Sequence, residues 1–211
     1  MLNPSPKNKP PYINGYFRRQ KDGKRKEQGE INYTNGDRYT GELIDGDREG
    51  QGTHHYTDGA VYKGEWKNDM YDGQGTFTFA NGDVYTGMHT KGMRSGTGTF
   101  RYANGDTYSG DVANSVPQGK GQLTYANGDV YDGDFKDGLR DGFGSFTYAD
   151  GDAYTGEWKE DRLHGQGTAI FVNGERYDGE WRNNMRNGFG TATNEKGEIY
   201  TGLFKDDVFI G

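Results

Sequence analysis

The sequence has no cysteine, which excludes disulfide staples and thiolate chemistry and suits a reducing compartment. No apolar run approaches the roughly 18 to 20 residues of a helical membrane span, and the N-terminus shows no signal-peptide core. A cytoplasmic protein is expected. Hydrophobic residues make up only 30% of the 211, too few for one central core. Proline is scarce as well, and four of the five (Pro4, Pro6, Pro10 and Pro11) crowd into the beginning of the chain. Basic residues are outnumbered 25 to 32 by acids and are placed unevenly: residues 1–28 carry a net +6 and the rest a net −13.

Glycine, by contrast, is abundant, and 32 of the 37 fall on four positions of a 23-residue repeat. So much glycine with so little apolar content would otherwise mean disorder, but the unbroken register points to a stacked repeat architecture. Tyr39, Tyr62, Tyr85, Tyr108, Tyr131, Tyr154, Tyr177 and Tyr200 open successive copies, each followed two residues later by glycine and, in the first seven, by a GxG pair and a turn glycine. In the unit from Tyr62, the residues Tyr62, Gly64 and Trp66 alternate with Lys63, Glu65 and Lys67, the period of a half-buried strand. Gly75, Phe77 and Phe79 alternate in the same way after a turn, and Asn81-Gly82-Asp83 closes the unit as a tight-turn signal. Glycines on the aromatic face, such as Gly64 and Gly75, are expected to make room for rings from neighbouring strands.

One hairpin buries too little to stand alone, so each must stack on the next. The expected fold is all-β, an elongated single-layer antiparallel β-solenoid of stacked 23-residue hairpins. It divides into a basic, proline-containing arm (1–28), a degenerate capping half-repeat (29–38), seven full repeats (39–199) and a truncated eighth (200–211).

The segments YTGELIDGDREGQG, YKGEWKNDMYDGQG, YTGEWKEDRLHGQG and YDGEWRNNMRNGFG resemble the MORN repeat family, with its YxGEWxxGxxxGxG core. The likeness covers 39–211. It implies a rod of antiparallel hairpins with a scaffold or adaptor role, often in cytoskeletal structures such as the axonemes of cilia and flagella or in membrane-associated junctions. Some members hold a partner helix in the aromatic groove, and lipid binding has been proposed for the repeats. The tryptophan position is filled here by Leu43, Trp66, His89, Val112, Phe135, Trp158, Trp181 and Phe204, and Met88 and Leu203 replace the usual acid.

No catalytic residue, cofactor site or metal site is expected. The GxG pairs lack the strand-to-helix context of a phosphate loop, and the histidines His54, His55, His89 and His164 lack ligand spacing. A non-enzymatic, cytoskeleton-associated scaffold follows, with three candidate surfaces. The first is an aromatic groove for an amphipathic helix or extended peptide, formed by Tyr62, Trp66, Tyr85, Tyr102, Tyr108, Tyr125, Tyr131 and Phe135, with space where His89 and Val112 replace larger rings. The second is the basic arm, where Arg18, Arg19, Lys21, Lys24, Arg25 and Lys26 either fold back on the acidic body or meet an anionic partner; membrane lipid is the secondary candidate and nucleic acid is not expected. The third is the C-terminal end, where Leu203, Phe204, Val208, Phe209 and Ile210 stand beside a strand that lacks its hairpin mate; either the tail folds over the end as a cap or, the favoured reading, it forms an assembly surface for a homodimer or a hetero-partner. A further stripe of turn residues, Met70, Met93, Val116, Leu139, Met185 and Val208, is joined in every second repeat by Arg48, Arg94, Arg140 and Arg186. It reads either as local packing or as a docking edge.

Overall fold

The structure, a computed structural model, describes residues 17–19, 23 and 25–211, and no helix occurs among them. Two compact units are present: Met1–Ala103 with Val112–Ser115, and Asn104–Asp111 with Val116–Gly211. In the first, strands β1 (Phe17–Arg19), β2 (Arg25–Asn32), β3 (Arg38–Ile44), β4 (Asp47–His55), β5 (Val61–Lys67), β6 (Met70–Thr78), β7 (Val84–Thr90) and β8 (Met93–Arg101) each pair antiparallel with the next. Strand β9 (Thr107–Ala113) contributes residues to both units. The second unit continues with β10 (Val116–Thr124), β11 (Val130–Lys136), β12 (Leu139–Thr147), β13 (Ala153–Lys159), β14 (Arg162–Ile170), β15 (Arg176–Arg182), β16 (Met185–Thr193), β17 (Ile199–Lys205) and β18 (Val208–Phe209), again with every neighbour antiparallel. The fold is therefore the all-β stack of 23-residue hairpins that the periodicity implies.

Each hairpin closes through a two-residue turn with positive φ at both positions, as at Asn68 (49°) and Asp69 (64°). This mirror-image turn matches the twist of the paired strands. The tight turn thus sits earlier in the repeat than the Asn-Gly signal suggests. Asn81-Gly82-Asp83 instead lies in the longer loop from β6 to β7. There Phe79 N–H donates to Asp83 O (2.8 Å), and Asn81 Oδ1 accepts the Asp83 N–H (3.1 Å). The Asp83 carboxylate also accepts the Ala103 N–H of the following repeat (2.8 Å), so loop acids tie successive hairpins together.

The core is a column of rings. Trp66 stands edge-on between Tyr39 and Tyr62, both at 5.2 Å between centroids. Trp158 stands in the same way between Tyr131 (5.2 Å) and Tyr154 (5.3 Å), a favoured aromatic geometry. Phe135 and Trp181 likewise pack on their own repeat's tyrosine and on that of the repeat before. Trp66, Trp158 and Trp181 also donate Nε1–H to the main-chain oxygens of Gly52, Gly144 and Gly167 at 3.0–3.2 Å. His89 fills the same slot, 5.2 Å from both Tyr62 and Tyr85, and is 2% exposed.

The C-terminal strand is not without a mate. β18 pairs Phe209 with Phe204 and Val208 with Lys205, and the tail continues the ladder through Ile210 N–H to Leu203 O and Leu203 N–H to Gly211 O, both 2.9 Å. The expected open edge is corrected: the type of two-residue turn seen at Asn68-Asp69 recurs at Asp206-Asp207 and folds the tail onto β17.

Candidate functional site

The tyrosine that opens each of the seven full repeats is committed to the fold, whereas Tyr200, which opens the truncated eighth, is exposed. The Tyr62 ring lies over the facing glycines Gly64 and Gly75, where an added Cβ on either would collide with it. Its hydroxyl donates to Glu65 O (2.9 Å), and Tyr39, Tyr85, Tyr108, Tyr131, Tyr154 and Tyr177 repeat that bond. Burial pushes the Tyr62 phenol well above its ordinary value, so it stays a protonated donor.

This geometry corrects the expected groove. Tyr62, Tyr85, Tyr108 and Tyr131 are at most 1% exposed, and Trp66 and Phe135 are at most 4% exposed, so a guest meets none of the six. His89 and Val112, at 2% and 3%, are themselves buried and open no space. Only Tyr102 and Tyr125 of the eight are half-buried. They belong to a row one step beyond the inner strand. In the first unit the row runs Tyr56, Phe79, Tyr102, all half-buried; in the second it runs Tyr125, Tyr148, Phe171, with Tyr148 and Phe171 exposed. Inner rings back it: Tyr102 stacks on Phe100 (5.9 Å, 6° between planes), and Tyr148 lies 4.6 Å from Phe146.

The repeated acid is not mere surface charge. Opposite Glu65, strand β6 places Asp72, Gly73 and Gln74 in a bulge, and Glu65 accepts the Gln74 N–H (3.0 Å). Gly73 has φ 108°, and a Cβ there would strike the Glu65 carboxyl. Glu42, Asp111, Asp134, Glu157 and Glu180 serve their own bulges in the same way.

The alternate-repeat arginines carry an arrangement that sequence reasoning missed. Arg48 donates from Nε to Asp69 Oδ1 (3.3 Å) and from Nη2 to Asp69 O (2.7 Å), while the same carboxylate accepts the Arg48 N–H (2.8 Å). Arg140 repeats the three bonds with Asp161 and Arg186 repeats them with Asp207. Each guanidinium also lies over aromatic faces, Arg48 at 4.2 Å from the Trp66 centroid and Arg140 at 4.4 Å from that of Trp158. The signal was legible, since arginine and aspartate recur together with a 21-residue offset and a two-repeat period. Next to Arg48, His54 is 2% exposed; its Nδ1 lies 3.0 Å from Arg48 Nη1 and its Nε2 3.5 Å from Asp37 Oδ2. Burial, with the Arg48 charge, lowers the His54 pKa to about 4, so the neutral ring accepts from Arg48 and donates to Asp37.

Of the basic cluster, Lys21 and Lys24 lie outside the described residues, as do the side chains of Arg18, Arg19 and Arg25. Lys26, in β2, pairs with Glu42 and holds that carboxyl below its usual range. At the C-terminal end Phe204 is buried beneath Tyr177 (5.0 Å) and so leaves the predicted surface, because it occupies the tryptophan slot of its repeat. Leu203, Val208, Phe209 and Ile210 are exposed.

The family model described as MORN repeat matches seven successive segments, 39–61, 62–84, 85–107, 108–130, 131–153, 154–176 and 177–198. No sequence among the curated proteins matches. Among solved structures, the chain is similar to the SAS-4 TCP domain of Drosophila melanogaster in complex with a proline-rich motif of Ana2, at 15% identity and TM-score 0.40 over 97% of each chain. It is also similar to a streptogramin B lyase at 13% identity and TM-score 0.19, over 91% of this chain and 76% of that one.

Proposed function

The chain belongs to the MORN repeat family, and from that premise we propose that it is a non-enzymatic scaffold that docks protein segments within a cytoskeletal assembly of the ciliary or flagellar axoneme type. The observation that carries the reading is the division of labour among the rings. In the seven full repeats the tyrosine and tryptophan positions are consumed by the core, while the ring just past the second strand stays half-buried or exposed in six of them: Tyr56, Phe79 and Tyr102 in one unit, and Tyr125, Tyr148 and Phe171 in the other. Aromatic rings backed by a rigid sheet offer large contact area at small entropic cost, which is the chemistry of a protein-docking face. An amphipathic helix or an extended peptide suits such a row.

Tyr102→Ala combined with Tyr125→Ala tests the reading. Capture of partners from the native source should fall by about tenfold or more, the scale of hot-spot loss, while the melting temperature falls only a few degrees. Capture that falls only in step with folding would return both rings to the core and overturn it. Recovery of the native protein with the detergent-insoluble cytoskeleton tests the location; full release into the soluble fraction would remove the axonemal assignment.

A further inference from the structure

The series of clamped arginines has one outlying copy. We propose that Arg94 is the docking point for a carboxylate side chain of a partner polypeptide, which takes the place that aspartate holds in the other copies. Arg48, Arg140 and Arg186 each meet an aspartate 21 residues on, but the residue 21 after Arg94 is Ser115. Ser115 Oγ accepts the Arg94 main-chain N–H (3.2 Å), and the main chain closes the usual bond from Ser115 N–H to Arg94 O (3.1 Å). The turn is thus in place and only the carboxylate is missing. Arg94 Nε is buried without a hydrogen-bond partner.

Three aromatic faces surround this guanidinium: Phe79 at 5.0 Å, Phe100 at 5.3 Å and Tyr85 at 5.7 Å. They strip water from the cation without neutralising it, and burial pushes the Arg94 pKa down. The same repeat departs from its siblings twice more. Met88 replaces the acid of the bulge, and His89, paired across the strands with Arg94, keeps a buried Nδ1 without a partner. Among the described residues, the two buried side-chain nitrogens that lack partners are these cross-strand neighbours. A carboxylate arriving beside Ser115 meets a half-buried cation that no aspartate claims, flanked by the half-buried rings Phe79 and Tyr102. The fitting segment is an acidic residue with apolar neighbours, the acid for Arg94 and the apolar side chains for the rings.

This inference rests on the protein-docking reading, but its test needs no native partner, so the two can fail separately. The probe is the blocked pentapeptide Ala-Leu-Asp-Leu-Ala, with its Asn counterpart as control, titrated into the full chain while the Arg94 Nε–H resonance is followed by NMR, assigned through its loss in Arg94→Lys. The Asp peptide should move that resonance saturably, and the Asn peptide should bind at least tenfold more weakly. Ser115→Asp should shift the resonance without any peptide and abolish the response. The proposal is overturned by the absence of a saturable response in the wild type, by equal responses to both peptides, or by an undiminished response in Ser115→Asp.

Discussion

Tyr62 donates its hydroxyl hydrogen to the main-chain oxygen of Glu65, three residues along the same strand, at 2.9 Å. The bond pins the ring flat over Gly64 and Gly75, so the glycines are a floor for the tyrosine rather than a source of flexibility. Tyr62→Phe keeps the ring and loses the bond, which should cost about 1 kcal/mol. Gly75→Ala places a methyl group within 2.7 Å of Tyr62 Cε2 and should cost more, about 2–3 kcal/mol by overpacking. Chemical denaturation of the two variants checks the order; an equal or reversed cost would refute the floor.

Asp161 holds Arg140 through Nε at 2.9 Å and through the main chain. Asp161→Ser recreates the Arg94 copy at another repeat and should lower stability by roughly 1 kcal/mol, a modest figure because both side chains reach solvent. The reverse change, Ser115→Asp, should raise it by a similar amount. Urea unfolding measures both, and a Ser115→Asp variant no more stable than the wild type would mean that the Arg94 turn cannot hold an acid.

Glu157 accepts the Gln166 N–H across its bulge at 2.9 Å. Glu157→Leu, which copies Leu203 of the last repeat, should leave that amide without its acceptor and speed its hydrogen exchange about tenfold, the equivalent of one charge-assisted bond. Unchanged exchange at Gln166 would show that the acid is surface charge after all.

Two buried histidines predict acid sensitivity. His54 and His89 both have pKa values lowered to about 4, first by burial and then, for His54, by the Arg48 charge. Against an unfolded value near 6.5, the unfolded chain binds more protons between the two, so their contribution to stability is complete above about pH 6.5 and is lost as pH falls towards 4. The Asp37 carboxyl, lowered by its hydrogen bonds from Asn35, Thr57 and His54 despite burial, adds loss at still lower pH. His54→Phe, the residue that sibling repeats carry at Phe77, Phe100 and Phe146, should flatten the fall in melting temperature between pH 7 and 4.5. A wild-type protein equally stable across that range would contradict the assignment.

Much of the site was readable only in part, for identifiable reasons. Tyr102 and Tyr125 could not be told from Tyr62, Tyr85, Tyr108 and Tyr131, because their equivalent Phe79 reads as part of an alternating strand; only the structure ends that strand at Thr78 and shows the glycine floor that buries the other four. His89 read as a gap because its ring is smaller than tryptophan. In the fold it completes the same edge-on column between Tyr62 and Tyr85.

The sequence alone determined the repeat length, the hairpin and the all-β stack, because glycine spacing and two-residue alternation are local signals that survive in one dimension. Which turn is tight, which ring is buried and which cation is paired were decided only by tertiary structure. Asp69 reaches Arg48 because each two-residue turn lies beside the strand start of the hairpin before it. Ser115 leaves Arg94 unclaimed for the same reason, since a contact 21 residues apart exists only once the hairpins stack.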